Sequence, residues 1–260
     1  MKPSSLPNAE LFSLAALCSA PAYGLQVLDI LPAIGDAGNV AVVVRLLRQA
    51  LGALGVDAGV FTSYVRDDAT RASYRFLLAC DPVWASEYAK RGWHDHDPWL
   101  RYATHETEPV RSEDLKLLPA EEEFARVSAS LGFASAVIAP APTHAGSSRV
   151  GMLCLGSHNL GFFDDAGFAK VRIFARALSM ELHGWMMATI RRDLIERSRI
   201  TPADIELLRH EVAGHTSKVI GAQMNLDAKT IDCRFQRVSA KLDTPDRRSA
   251  ARKARLYGLF

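Results

Sequence analysis

Four cysteines in 260 residues, none in a CxxC pair, exclude a disulfide-dense scaffold and a zinc ribbon. Cys18, Cys80, Cys154 and Cys233 are scattered and suit a reducing compartment, so a cytoplasmic location is expected. No run reaches the roughly 18 uncharged apolar residues that a membrane span needs, and no membrane partner is expected. The most apolar stretch, NVAVVVRLLRQALGALGV, is broken by Arg45 and Arg48. A glycine-rich phosphate loop, a nucleophile elbow and a spaced acid pair are also missing, so neither enzyme activity nor a cofactor is expected. His94, Asp95 and His96 carry metal-binding groups. Their spacing aligns the two histidines only in an extended segment, and no third ligand follows; polar surface or pocket rim is the expected role.

With 48% hydrophobic and 23% charged residues the composition is globular, and the formal charge is only +2. That average hides an asymmetry. Residues 191–260 hold 15 Lys and Arg against 9 Asp and Glu, a balance of +6, which leaves −4 for residues 1–190. A polyanion partner is therefore expected for the C-terminal part alone. At the other end, LFSLAALCSAPA (11–22) has the look of a short signal-peptide core. Only Lys2 precedes it, Glu10 stands at its edge, and Leu17 occupies the place where a lipoprotein box needs a small residue. Residues 1–24 are accordingly expected to be an extension or an extra helix.

Periodicity predicts an amphipathic helix over 37–54 and a hairpin of strands 56–65 and 73–80 joined by RDDATRA. Short helices follow through Trp84–Lys90 and over 97–104, then a helix over 119–131 with Glu121–Glu123 in its first turn. Strands 134–141 and 149–157, parted by PTHAGSS, precede a long helix over 165–190. The order helix, two strands, helices, two or three strands, long helix predicts an α+β fold: an α-β-α sandwich with an antiparallel sheet over 25–190. RRDLIERSR (191–199) reads as a linker or helix extension. Residues 200–260 read as a separate all-α unit of four helices.

In that unit Thr201 caps a helix that has Pro202 at its first position and ends at Gly214. Helices 217–224 and 228–242 are joined by a tight turn, and a fourth covers 247–257. A tight turn before a longer basic helix is a helix-turn-helix pattern. The third helix buries Ile231, Phe235, Val238 and Leu242, and so presents Lys229, Asp232, Cys233, Gln236, Arg237 and Ala240. Lys and Arg suit guanine and Gln suits adenine in the major groove, while Asp232 needs a cytosine amino group. Ser217, Lys218, Thr230, Arg234 and Lys241 are placed for phosphates.

The I-T-P-A-D start, G-H-T-S-K-V-I-G-A, L-D-A-K-T-I and the late A-x-x-x-G-L make residues 200–260 similar to the DNA-binding domain of LuxR-type regulators. Asp204, Val219 and Arg234 depart from the Glu, Glu and His usual there. Upstream, WASEYAKRGWHDHDP (84–98) resembles the autoinducer-binding members, matching W-x-x-x-Y and the later Asp-Pro. Pro109, Gly132, Pro140 and Gly151 continue the register, so the resemblance spans roughly 37–260. It implies a quorum-sensing transcription regulator whose partners are double-stranded DNA at a pseudo-palindromic site, a second copy of the chain and RNA polymerase. It also implies a small-molecule signal, an acyl-homoserine lactone or a relative.

By the same resemblance Trp84 gives its indole N–H to the lactone carbonyl, Asp97 accepts the amide N–H, and Tyr88 and Trp93 wall the acyl chain. Such an Asp must be ionised, so its neighbours are expected to hold its pKa down. Cys80, Cys154 and Ser112 stand where the family has Tyr, Ser or Thr, and Trp. Two hydroxyl donors become weak thiol donors, and space opens by the ring site. An altered signal follows, or a signal-independent regulator whose N-terminal domain serves dimerisation or protein contacts. A thiol sensor built on Cys80 and Cys154, and a metal sensor or enzyme built on His94–Asp97, are the remaining readings.

Overall fold

The computed structural model describes residues 13–66, 72–142 and 149–260; most of the RDDATRA turn and of the PTHAGSS loop lies outside the described residues. Two compact units emerge. One comprises the described parts of Met1–Thr62, Phe76–Pro142 and Val150–Leu182, and the other those of Ser63–Arg75, Thr143–Arg149 and His183–Phe260.

The first unit begins before the expected boundary. Helix α1 (Leu14–Ser19) is capped by the Ser13 hydroxyl and buries Leu14 and Cys18. Asp165 accepts the Ala15 N–H at 2.7 Å, and Lys170 donates to the Cys18 carbonyl at 2.6 Å. This is the extra helix of the two expectations for the segment, and it is held by tertiary partners, as a helix this short must be. Helix α2 (Leu25–Gly35), which has no counterpart in the sequence expectation, packs against α3 (Val40–Leu54). The predicted amphipathic face of α3 buries Val43, Leu47, Leu51 and Leu54.

Strands β1 (Ala58–Arg66), β2 (Ala72–Ala79), β3 (Val110–Arg111), β4 (Ser135–Ala141) and β5 (Arg149–Ser157) form one sheet in the order β2-β1-β5-β4-β3. β3–β4 and β4–β5 pair antiparallel, with Ile138 opposite both Val110 and Cys154. All seven residues of β4 are buried, which requires cover on both faces of the sheet. The cover comes from α4 (Val83–Arg91), α5 (Pro98–His105), α6 (Glu122–Ser128) and α7 (Phe168–Ser198), the last donating a Ser179 hydroxyl to the Ala139 carbonyl at 2.7 Å. The α+β class is as the sequence predicts.

The expected helix over 119–131 is broken into a 3-10 turn, α6 and a widened turn over Ala129–Phe133. Gly132 ends the run: at φ 106° it takes a conformation that side-chain-bearing residues avoid, and a Cβ there would meet Ala58 at 3.0 Å.

Of the two expectations for 191–199, linker or helix extension, the structure has the extension: α7 runs to Ser198, with Leu194 and Ile195 packed on the C-terminal core. Three residues then separate α7 from α8 (Pro202–Val212); Arg199 takes a left-handed φ of 51° and Ile200 is buried. Helices α9 (Ser217–Met224), α10 (Ala228–Lys241) and α11 (Arg247–Leu256) complete the second unit. Each of the four starts on an oxygen cap, from Thr201, Thr216, Asp227 and Asp246 in turn. Gly221 permits the α9–α10 turn: a Cβ would lie 2.4 Å from the Leu226 carbonyl oxygen.

Candidate functional site

Asp97 sits at the start of α5 because an Asp before Pro98 both caps and terminates cleanly. Its Oδ1 accepts the Trp99 and Leu100 N–H groups at 2.8 and 3.1 Å, and its Oδ2 accepts the Tyr88 hydroxyl at 3.0 Å. Only 3% of Asp97 is exposed. Burial pushes its carboxyl up to about 7, against the hydrogen bonds from Leu100, Tyr88 and Trp99 and with the Glu121 charge adding to the rise. This corrects the expectation of a depressed carboxylate: the neighbours that favour the anion are outweighed by desolvation.

Spacing by four on α4 brings Trp84 and Tyr88 to one face, both fully buried, with ring centroids 5.0 Å apart. Trp93, in the turn after α4, meets Tyr88 at 6.1 Å and Phe124 at 5.1 Å. Trp99 stacks on Trp84 at 6.5 Å and meets Phe124 and Phe133 at 4.8 and 5.3 Å edge-on or tilted. Phe76 of β2 closes the box, 5.4 Å from Trp84 and 5.1 Å from Tyr88. The indole N–H of Trp84 is donated to the buried Ser128 hydroxyl at 3.1 Å. Glu121 supports the wall from behind. It takes a two-point hold on Arg101 at 2.6 and 2.8 Å, which keeps its pKa low although burial alone would raise it.

Sequence reasoning found Trp84, Tyr88, Trp93 and Asp97, which the fold brings together. It missed Ser128, Trp99, Phe124, Phe133 and Phe76. The Trp immediately after the Asp-Pro pair was the available signal.

The three departures separate. Cys154 is fully buried, and desolvation raises its thiol well above the usual range, with Asp97 and Cys80 near enough to add to it. Cys80 is half-buried and pushed up to about 12 by burial and by Asp81. Two thiols so held are poor thiolate nucleophiles, which removes support from a thiol sensor. Cys80 also lines a cleft of about 330 Å³ with Arg48, Asp81, Gly132 and His158. Ser112 does not face the rings. Its hydroxyl accepts the Ala136 N–H at 2.9 Å and donates to Glu113, tying the chain after β3 to β4. Among the described residues no three metal-ligating side chains cluster, and His94 lies beside Asp95 at 3.4 Å.

In the second unit, α10 exposes Lys229, Asp232, Cys233, Gln236 and Arg237, and buries Ile231, Phe235 and Val238, the predicted division. Lys218 is exposed and Arg234 half-buried. Four expected contacts have partners within the chain. Asp232 accepts the Ser217 hydroxyl, which also accepts Arg247 at 3.1 Å. Thr230 donates to its cap Asp227 at 2.7 Å, and Lys241 pairs with Asp204 at 2.6 Å. Asp232 thereby braces α9 against α10.

The family model of the autoinducer-binding domain matches residues 39–183, and the chain belongs to that family, the signal-binding part of LuxR-type quorum-sensing regulators. Among solved structures it is similar to Escherichia coli SdiA at a TM-score of 0.71 and 15% identity, over 90% of this chain and 97% of that one. The complex of SdiA with octanoyl-rac-glycerol matches at 0.68 and 15% over 93% and 97%. CepR2 from Burkholderia cenocepacia, an N-acylhomoserine-lactone-dependent LuxR-family transcription factor, matches at 0.55 and 21%, over 64% of this chain and 96% of that one. At these identities the likeness is one of fold. No curated protein matches the sequence. No helix among the described residues is long and apolar enough to cross a membrane.

Proposed function

We propose that the chain is a cytoplasmic, ligand-responsive DNA-binding transcription regulator of quorum sensing, acting as a homodimer. The carrying observation is the buried convergence of Trp84, Tyr88, Asp97 and Ser128 inside the matched segment. One indole N–H, one phenol, one carboxyl and one hydroxyl among aromatic walls suit a small molecule with an amide or ester head and an acyl tail. To bind, the head would replace existing bonds: its carbonyl takes the Trp84 N–H from Ser128, and its N–H takes Asp97 Oδ2 from Tyr88. An acyl ligand without a lactone, as in the SdiA complex, is an equal candidate, because the exchanges at Cys80 and Cys154 weaken hydroxyl recognition. Ordering of the first unit would then raise the population of DNA-competent dimer, with RNA polymerase as the downstream partner.

The test is thermal melting with acyl-homoserine lactones of graded length and with octanoylglycerol. Ligand at about 100 times its Kd stabilises by about 2.7 kcal/mol, a rise of several degrees. A flat response to every acyl compound removes the signal-binding half of the proposal and leaves a second reading, the signal-independent regulator. That reading is favoured by the Trp84 N–H already being satisfied within the packed rings. Selective DNA binding by ligand-free protein would establish it.

For the DNA half, Lys229→Ala and Gln236→Ala are each expected to weaken sequence-selective binding by about 1–3 kcal/mol. Electrophoretic or anisotropy titrations against selected and random duplexes read the difference. An equal loss on all sequences would assign both side chains to the backbone instead.

A further inference from the structure

The sheet face that carries the ring box also carries a hydroxyl that the packed protein leaves unused. Side chains alternate along β1, and two contacts fix which way each set points. Ala58 lies against Gly132, beside Phe133 of the box, whereas a Cβ at Gly59 would meet Leu51 of α3 at 3.0 Å. Thr62, four residues on from Ala58, therefore lies on the box face. It is fully buried, and its Oγ1 has no hydrogen-bond partner among the described residues. Counted four residues back from the strand ends at Arg66 and Ala72, Thr62 and Phe76 come level on the neighbouring strands β1 and β2. Opposed side chains in such a pair stand about 5 Å apart. The hydroxyl is thus beside the ring that touches both Trp84 and Tyr88. A buried hydroxyl without a partner has given up its bond to water for nothing, so such groups are rare unless a bound molecule supplies the bond.

We propose that Thr62 is a specificity residue of the signal site, and that the signal carries an oxygen, keto or hydroxyl, on its acyl chain. This rests on the signal-binding reading above, in which Trp84 and Asp97 take the head and the chain runs on past Tyr88. Beside Phe76 the Thr62 hydroxyl would donate to a chain oxygen, or accept from a chain hydroxyl. The exchanges at Cys80 and Cys154 leave weaker donors around the head, and Thr62 moves the discrimination outward onto the chain. A plain chain would leave the hydroxyl facing methylene groups, the arrangement by which a polar site rejects an apolar analogue.

The test is calorimetric titration of the full-length protein with octanoyl-homoserine lactone and with the same lactone oxygenated on the third, fifth or seventh carbon of the chain. At least one oxygenated chain should bind about tenfold more tightly than the plain one, the effect of one buried hydrogen bond. Thr62→Val keeps the shape without the hydroxyl and should bring that ratio close to one; Thr62→Ser should restore it. Without ligand, Thr62→Val should melt above the wild type, since it no longer buries an unpaired group. Binding of the lactones with no preference for any oxygenated chain would overturn the proposal and leave the signal-binding reading standing. So would a preference that survives in Thr62→Val, or a ligand-free Thr62→Val that melts lower, which would show the hydroxyl to be bonded already. Binding of no lactone would overturn it too, and if octanoylglycerol also fails to bind, the signal-binding reading falls with it.

Discussion

Trp84→Ala is expected to destabilise the first unit by about 3–5 kcal/mol, the range for emptying a packed aromatic site. Trp84 is fully buried and meets Phe76, Tyr88, Trp99, Phe124 and Phe133, rings drawn from β2, α4, α5, α6 and the turn after it. Removing it leaves a void bordered by five other rings and strands the buried Ser128 hydroxyl. Trp84→Phe keeps most of the volume and loses only the N–H, so its cost should be near the 1–3 kcal/mol of an unsatisfied buried partner. Urea unfolding of both variants measures the difference. A cost below about 1 kcal/mol for the alanine variant would mean that the indole contributes little packing and is held in reserve for a ligand.

Asp97→Asn is expected to change the shape of stability against pH. The unfolded carboxyl titrates near about 3.9, whereas the folded one is raised to about 7. Between those values the folded chain keeps a proton that the unfolded chain has lost. The raised group therefore contributes most below about pH 4, and its contribution declines as pH rises to about 7, at up to about 1.4 kcal/mol per pH unit. Asparagine can still accept the Trp99 and Leu100 N–H groups but cannot titrate, so this segment of the curve should flatten. Equal slopes for the two proteins over pH 4–8 would show that Asp97 is ionised throughout. The same proton bears on recognition. A signal offering an amide N–H prefers the anion, so its affinity should climb as pH passes 7.

The C-terminal unit was legible because its signals are local. Thr201-Pro202 and Thr216 announce two helix starts, and the spacing of Ile231, Phe235 and Val238 fixes which face of α10 is buried. What stayed hidden there was pairing at a distance: Ser217 with Asp232 and Lys241 with Asp204 lie 15 and 37 residues apart. In the N-terminal unit the Trp84–Tyr88 pair and the Asp97 cap were readable for the same local reason. The box around them was not, since Phe76, Phe124 and Phe133 come from elements whose packing no spacing rule reveals. Residues 13–24 were disguised by composition, being apolar like a signal segment although Leu14 and Cys18 serve the core. Gly132, at φ 106°, ends the helical run next to the expected end at 131.

Helix α7 is 31 residues long, about 46 Å, and stops three residues before α8 begins. Because Ile200 in that gap is anchored in the C-terminal core, few free bonds remain to absorb a twist. A small turn of the last coils of α7 about its own axis would therefore pass to α8 almost undiminished, as a crank passes torque, where a floppy tether would dissipate it.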